Sequence, residues 1–196
     1  YIARTKAVLP AVSGLIVLSY AVFLPWNMGV YKNPAEPESE RILRQVPAGE
    51  PVMAIAVDPR WMWPLIEKYG LLWPSRLYSY WMIPTLTQVR ADGPPSPRME
   101  RLGERIREET ALEMRCMPPA LILFEKPRGY AIKDIPLDVR SYFEENPKIR
   151  QFILDNYREL PASKSFYLYE RIRTAGPVSD AECPRISSNQ YFRQKG

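Results

Sequence analysis

AVLPAVSGLIVLSYAVFLPW, residues Ala7 to Trp26, is the stretch on which the reading of this chain turns. From Ala7 through Tyr31 there is no Asp, Glu, Lys or Arg, and about 20 mostly apolar residues let a helix cross the hydrocarbon core of a bilayer. The sequence therefore predicts an N-terminal transmembrane helix. Pro10 lies near its start, where a missing N–H costs little, and Pro25, Trp26 and Tyr31 lie where the far headgroups would be. A secretory signal peptide or a buried core helix is the competing reading. The run is long for a signal h-region, and no small-residue cleavage site follows it. Arg4 and Lys6 flank one end, while Lys32 and then Glu36, Glu38 and Glu40 flank the other. The basic flank is expected in the cytoplasm and the rest of the chain on the periplasmic side of the inner membrane. The first residue is Tyr1, not Met, which fits a processed chain or the tail of a longer polypeptide.

Outward from the span, residues 32–50 read as a linker and short helix, 51–173 as one extracytoplasmic domain and 174–196 as an irregular tail. The domain has room for a single core. Twenty-seven basic and 22 acidic residues give a net charge of +5, or +3 without Arg4 and Lys6. The signs are interspersed, so the surface is a solvated one with no nucleic-acid footprint, and membrane lipid is the expected neighbour. There is no histidine, which removes the commonest general base, metal ligand and pH switch together. The two cysteines, Cys116 and Cys183, are too few for a structural zinc site. In an oxidising compartment they can pair as a disulfide; otherwise they are two thiols. No metal and no cofactor is expected.

Glu38–Val46 reads as a short helix. Val52 to Val57, VMAIAV, is a continuous apolar run between prolines, the pattern of a strand buried on both faces. Trp61–Tyr69 follows as a helix ending at Gly70, and Leu77–Ile83 reads as a second strand. Ser96-Pro97 opens an amphipathic helix that carries Met99, Leu102, Ile106, Thr110 and Met114 on one stripe. Ala120–Phe124 reads as a third strand, Pro136–Glu144 as a helix, and Asn146-Pro147 as the cap of another. Phe166, Leu168 and Ile172 alternate with polar neighbours as a half-exposed last strand. Strands alternating with helices predict a three-layer α/β domain with a small, mostly parallel sheet behind one membrane helix.

In such a fold ligands sit beyond the carboxyl ends of the strands. Asp58, Arg60, Trp61 and Trp63 form the most site-like cluster there, an acid and a guanidinium beside two indoles. Rings that stack on sugar C–H faces and a carboxylate that accepts from hydroxyls would suit a saccharide. The plainer alternative is a capping Asp58 and packed tryptophans. Trp73–Trp81, aided by Arg76, reads as a lipid-facing aromatic patch or as core. Lys126 and Arg128 would suit a phosphate, though no glycine-rich cradle precedes them. No P-loop, GxGxxG, GxSxG or metal-ligand cluster is present, and no catalytic residue can be named.

The order of pieces VPAGEPVMAIAVDP, WPLIEKYGLLWPSRLYSYWMIP, PPALILFEK, SYFEENPKIRQFILDNYREL and FYLYERI resembles the C-terminal part of bacterial integral-membrane glycosyltransferases of the C-type superfamily, relatives of protein mannosyltransferases. Trp73, Ser75, Arg76, Trp81 and Pro84, with Asn156-Tyr157-Arg158-Glu159-Leu160, carry the likeness, which spans Ala7 to Ile172. The resemblance implies a final membrane span followed by a periplasmic α/β domain, in enzymes that take sugar from a polyprenyl-phosphate donor. The family's catalytic acid lies in a loop outside this sequence, so no catalytic role carries over. Two expectations follow: a non-catalytic domain derived from such an enzyme, tied to the missing membrane portion of the same protein, or a single-span accessory subunit docked on other membrane protein subunits.

Overall fold

Residues 13–21, 36–58, 62–127, 137–172 and 183 are described by a computed structural model. The chain divides into two compact units, Tyr1–Glu36 and Pro37–Gly196. In the first, helix α1 covers residues 13–21. Nine helical residues rise about 13 Å, under half the thickness of a hydrocarbon core. Among the described residues no helix is long and apolar enough to cross a membrane, which overturns the expected transmembrane helix. The flanking parts of the apolar run, 7–12 and 22–26, lie outside the described residues.

The second unit is built on a four-stranded sheet in the order β1-β2-β4-β3, with β1 at Val52–Ile55, β2 at Leu121–Glu125, β3 at Tyr157–Leu160 and β4 at Phe166–Arg171. Strand β1 runs parallel to β2, Val52 opposite Leu121 and Ile55 opposite Phe124. Strand β4 lies antiparallel to both β2 and β3. The sheet is therefore mixed, not mostly parallel as the strand–helix alternation suggested. The reason is local: β3 and β4 are joined by a five-residue turn, Pro161–Ser165, too short for the crossover that a parallel neighbour requires.

Helices cover both faces. Met53, Ile55, Ile122, Phe124 and Tyr169 point to the face that holds α4 (Ile83–Asp92), α5 (Pro97–Cys116), α6 (Val139–Glu144) and α7 (Pro147–Asn156) in one apolar cluster. At its centre the ring of Phe143 meets Tyr80 edge-on at 5.1 Å and Phe124 at 6.5 Å. Burying each ring contributes about 2–3 kcal/mol. The opposite face, with Val52, Ala54, Leu121, Leu123 and Leu168, is buried as well; Ile42 of α2 (Glu36–Leu43) lines one pocket with Leu121 and Leu168, and Leu65 and Ile66 are the buried residues of α3 (Trp63–Lys68). The Glu38 carboxylate ties α2 to the β3–β4 turn by accepting from the N–H groups of Lys164 at 2.7 Å and Ser165 at 3.2 Å.

Caps place the long helices. Ser96 Oγ accepts from the Met99 N–H, with Pro97 in the first turn, and Asn146 Oδ1 accepts from the N–H groups of Lys148 and Ile149. The C-terminal end of α5 is bonded through Cys116 to Cys183, 67 residues on, with the Cα atoms 5.7 Å apart.

One expected strand is absent. Of the expected Leu77–Ile83 strand, residues 77–82 run as irregular chain past the end of β1, where the Tyr80 N–H donates to Ala56 O at 2.9 Å and Ser79 Oγ donates to Val57 O at 2.7 Å. It then turns into α4, with Pro84 in the first turn of that helix. The segment bonds the two residues that follow β1 and makes no ladder of its own.

Candidate functional site

The carboxyl ends of β1 and β2 lie side by side, so Asp58 and Glu125 close the parallel pair at the same end. Glu125 is only 4% exposed, and its Oε2 accepts from the Val57 N–H at 2.6 Å. Burial pushes the Glu125 carboxyl up to about 7, with the Asp58 charge adding to the rise and the backbone N–H groups of Val57 and Asp58 working against it. A carboxyl of that acidity has the proton affinity of a general acid or base. Its oxygens, however, are turned inward onto the backbone, where they complete the hydrogen bonding of β1 past its last residue.

Lys126, next along, is spent in the same way. Its N–H donates to Ser165 O at 2.9 Å, its ammonium donates to Ser163 O at 2.5 Å, and Nζ stands 5.1 Å from the centre of the Tyr167 ring. The lysine expected to hold a phosphate thus pins the β3–β4 turn.

Arg76 faces away from this end, onto α5. Its Nη2 is 2.9 Å from Glu109 Oε2, its Nε is 3.4 Å from Glu113 Oε1, and its backbone N–H donates to that same Glu113 oxygen at 2.9 Å. Glu113 is buried, and the burial raises its carboxyl above the ordinary range even with Arg76 and Ser75 pulling it down. The Arg76 side chain is held between these two carboxylates and remains about a third exposed. It locks the 71–80 segment to the helix behind it.

The aromatic residues gather separately. Trp63 opens α3 and meets Trp73 edge-on at 6.0 Å and Tyr78 at 6.2 Å. The Trp73 indole N–H donates to Leu77 O at 3.1 Å and so fixes the loop that carries Tyr78. Tyr78 is 62% exposed, and Trp81, just before α4, is 68% exposed. The two rings are three positions apart on the same segment and open to solvent.

Of the residues singled out by sequence, the structure thus places Asp58 beside Glu125, Trp63 in the aromatic group, Arg76 on α5 and Lys126 on the β3–β4 turn. Arg60 and Trp61 lie outside the described residues, and so does Arg128. Among the described residues no group of three or more Cys, Asp or Glu side chains could hold a metal ion. Glu125 and Glu113 were not singled out. The signal for the first was an acid closing the wholly apolar run ALILF, and for the second an acid on the same helical stripe as Thr110 and Met114. Neither a family model, nor a curated protein sequence, nor a solved structure matches the chain.

Proposed function

We propose that this chain is a non-catalytic accessory domain that acts outside the cytoplasm and docks a protein partner through the aromatic surface of Trp63, Trp73, Tyr78 and Trp81. The observation that carries this reading is the exposure of Trp81 and Tyr78 on a segment that is otherwise firmly held. The backbone of that segment is bonded at Tyr80 to Ala56, just past β1, its arginine is clamped by Glu109 and Glu113, and its Trp73 indole is bonded to Leu77. Rings held out on a rigid support lose little conformational entropy on binding, which is why Trp and Tyr dominate the energetics of protein interfaces.

Two further observations support it. The Cys116–Cys183 disulfide suits an oxidising compartment. The charged groups at the strand ends, Glu125 and Lys126, are consumed by bonds within the fold and are not presented to a substrate. The test is native mass spectrometry of the protein extracted with its partners, comparing the natural chain with a Tyr78→Ala, Trp81→Ala double variant. The reading predicts a complex for the natural chain and a free subunit of unchanged melting temperature for the variant. Co-migration that survives both substitutions would overturn it.

A further inference from the structure

On the face of the sheet that holds α4 to α7, three elements bring two guanidinium groups onto one tyrosine. Arg90 comes from the last turn of α4, Arg107 from the middle of α5, and Tyr142 from α6. The Arg107 Cζ lies 4.8 Å from the centre of the Tyr142 ring and the Arg90 Cζ lies 5.7 Å from it, both within cation–π range. The ring orients both cations.

Between them sits a single carboxylate oxygen. Glu145 Oε2 is 3.0 Å from Arg90 Nη1 and 3.3 Å from Arg107 Nη1. Glu145 is the residue that ends α6, and its side chain is 53% exposed. Arg107, by contrast, is 8% exposed, and its Nη1 is shut off from solvent without a hydrogen bond of proper geometry. The Tyr142 hydroxyl is likewise buried and without a hydrogen-bond partner. It is aimed at Gly103 of α5, where even a Cβ would come within 2.8 Å of the oxygen. Two positive charges thus share one negative oxygen, and a buried donor is left under-used behind it.

We infer that the Arg90–Arg107 pair on Tyr142 is a binding site for a phosphate group, held closed in the free protein by the Glu145 carboxylate as a built-in stand-in. Two guanidinium groups around one oxygen match a dianionic phosphate better than a monoanionic carboxylate, both in charge and in the number of oxygens that can accept. Glu145 lies at a helix end and faces solvent, so it can leave without unfolding α6. Arg107 and Tyr142 are fixed by burial and do not need to move. The shared chemistry is that of a phosphomonoester, carried either by a soluble metabolite or by a lipid headgroup.

The experiment titrates inorganic phosphate and glycerol phosphate into the full chain by calorimetry, with chloride held constant. The site predicts weak binding to the natural chain and at least tenfold tighter binding to Glu145→Ala, from which the competing carboxylate has gone. Adding Arg90→Gln to that variant must abolish the gain; Arg90 is partly exposed, so the fold survives the change. Sedimentation with vesicles of phosphatidylcholine, with and without phosphatidate, separates the two sources. Binding of Glu145→Ala to phosphatidate vesicles without binding of free phosphate supports the same site for a lipid-borne group. If Glu145→Ala takes up neither probe more tightly than the natural chain, or keeps the gain after Arg90→Gln, the inference is wrong.

Discussion

The end of the β1–β2 pair and the loop that packs beside it handle their side chains in opposite ways. At the strand ends, the groups best able to meet a ligand are drawn inward: Glu125 onto the backbone of Val57, and Lys126 onto Ser163. In the 71–82 segment the polar groups are again tied down, Arg76 on Glu109 and Glu113, while the large rings of Tyr78 and Trp81 are left in solvent. Charge inside and aromatics outside inverts the usual arrangement. The difference teaches that the charged residues here build the support and the rings are what it presents.

The strongest way to break that contrast is to remove a buried charge. Glu113→Ala strips Arg76 of its buried partner and leaves the Arg76 backbone N–H unpaired, and it should cost about 3 kcal/mol in urea unfolding. A loss below about 1 kcal/mol would mean the clamp is ornamental.

The second prediction concerns pH. The Glu125 carboxyl in the folded chain titrates near 7, above its value in the unfolded chain. Between about pH 4.5 and 7 the folded state holds a proton that the unfolded state has released, so this group makes stability fall as pH rises, levelling off above 7. Relative to Glu125→Gln, which keeps an acceptor for the Val57 N–H, the natural chain should lose on the order of 2–3 kcal/mol between pH 4.5 and 8. A stability difference between the two that is the same at both ends of that range would show that Glu125 does not ionise in place.

Smaller effects sharpen the other half of the comparison. Trp63→Ala removes the half-buried ring on which Trp73 and Tyr78 lean and should cost about 1–2 kcal/mol by thermal unfolding, loosening the patch from beneath. Trp81→Ala should change stability by less than about 0.5 kcal/mol, because an exposed ring contributes little to the fold. A fall of 2 kcal/mol there would make Trp81 a packing residue and remove the reason to see a docking surface.

Much of the fold was legible in local signals. The apolar runs VMAIAV and ALILF, bounded by proline, became the two fully buried strands, and Ser96-Pro97 and Asn146-Pro147 became working caps. What was not legible depends on distant pairing. No glycine or proline separates YREL from α7, so nothing local marks it as a strand. Tyr157 serves as both the helix C-cap and the first residue of β3, a switch decided by pairing with β4. The stretch LYSYWMI looks like a strand because its aromatics alternate, yet the Tyr80 ring goes to the core while Tyr78 and Trp81 face out. The apolar run at Ala7–Trp26 satisfied every local rule for a span, and the helix it forms among the described residues is nine residues long. As for the site, residue type alone does not show which partners a charge takes: Arg76 is bonded to Glu109 and Glu113, and Lys126 to Ser163 and Ser165.

The most direct test of the docking surface is site-specific photo-crosslinking in cells that make the full chain. A photoreactive residue at position 81 is compared with one at position 154, where Leu154 on α7 is also 68% exposed. The account predicts a discrete crosslinked protein from position 81 and none from position 154. Equal labelling from both positions, or none from position 81, would contradict it.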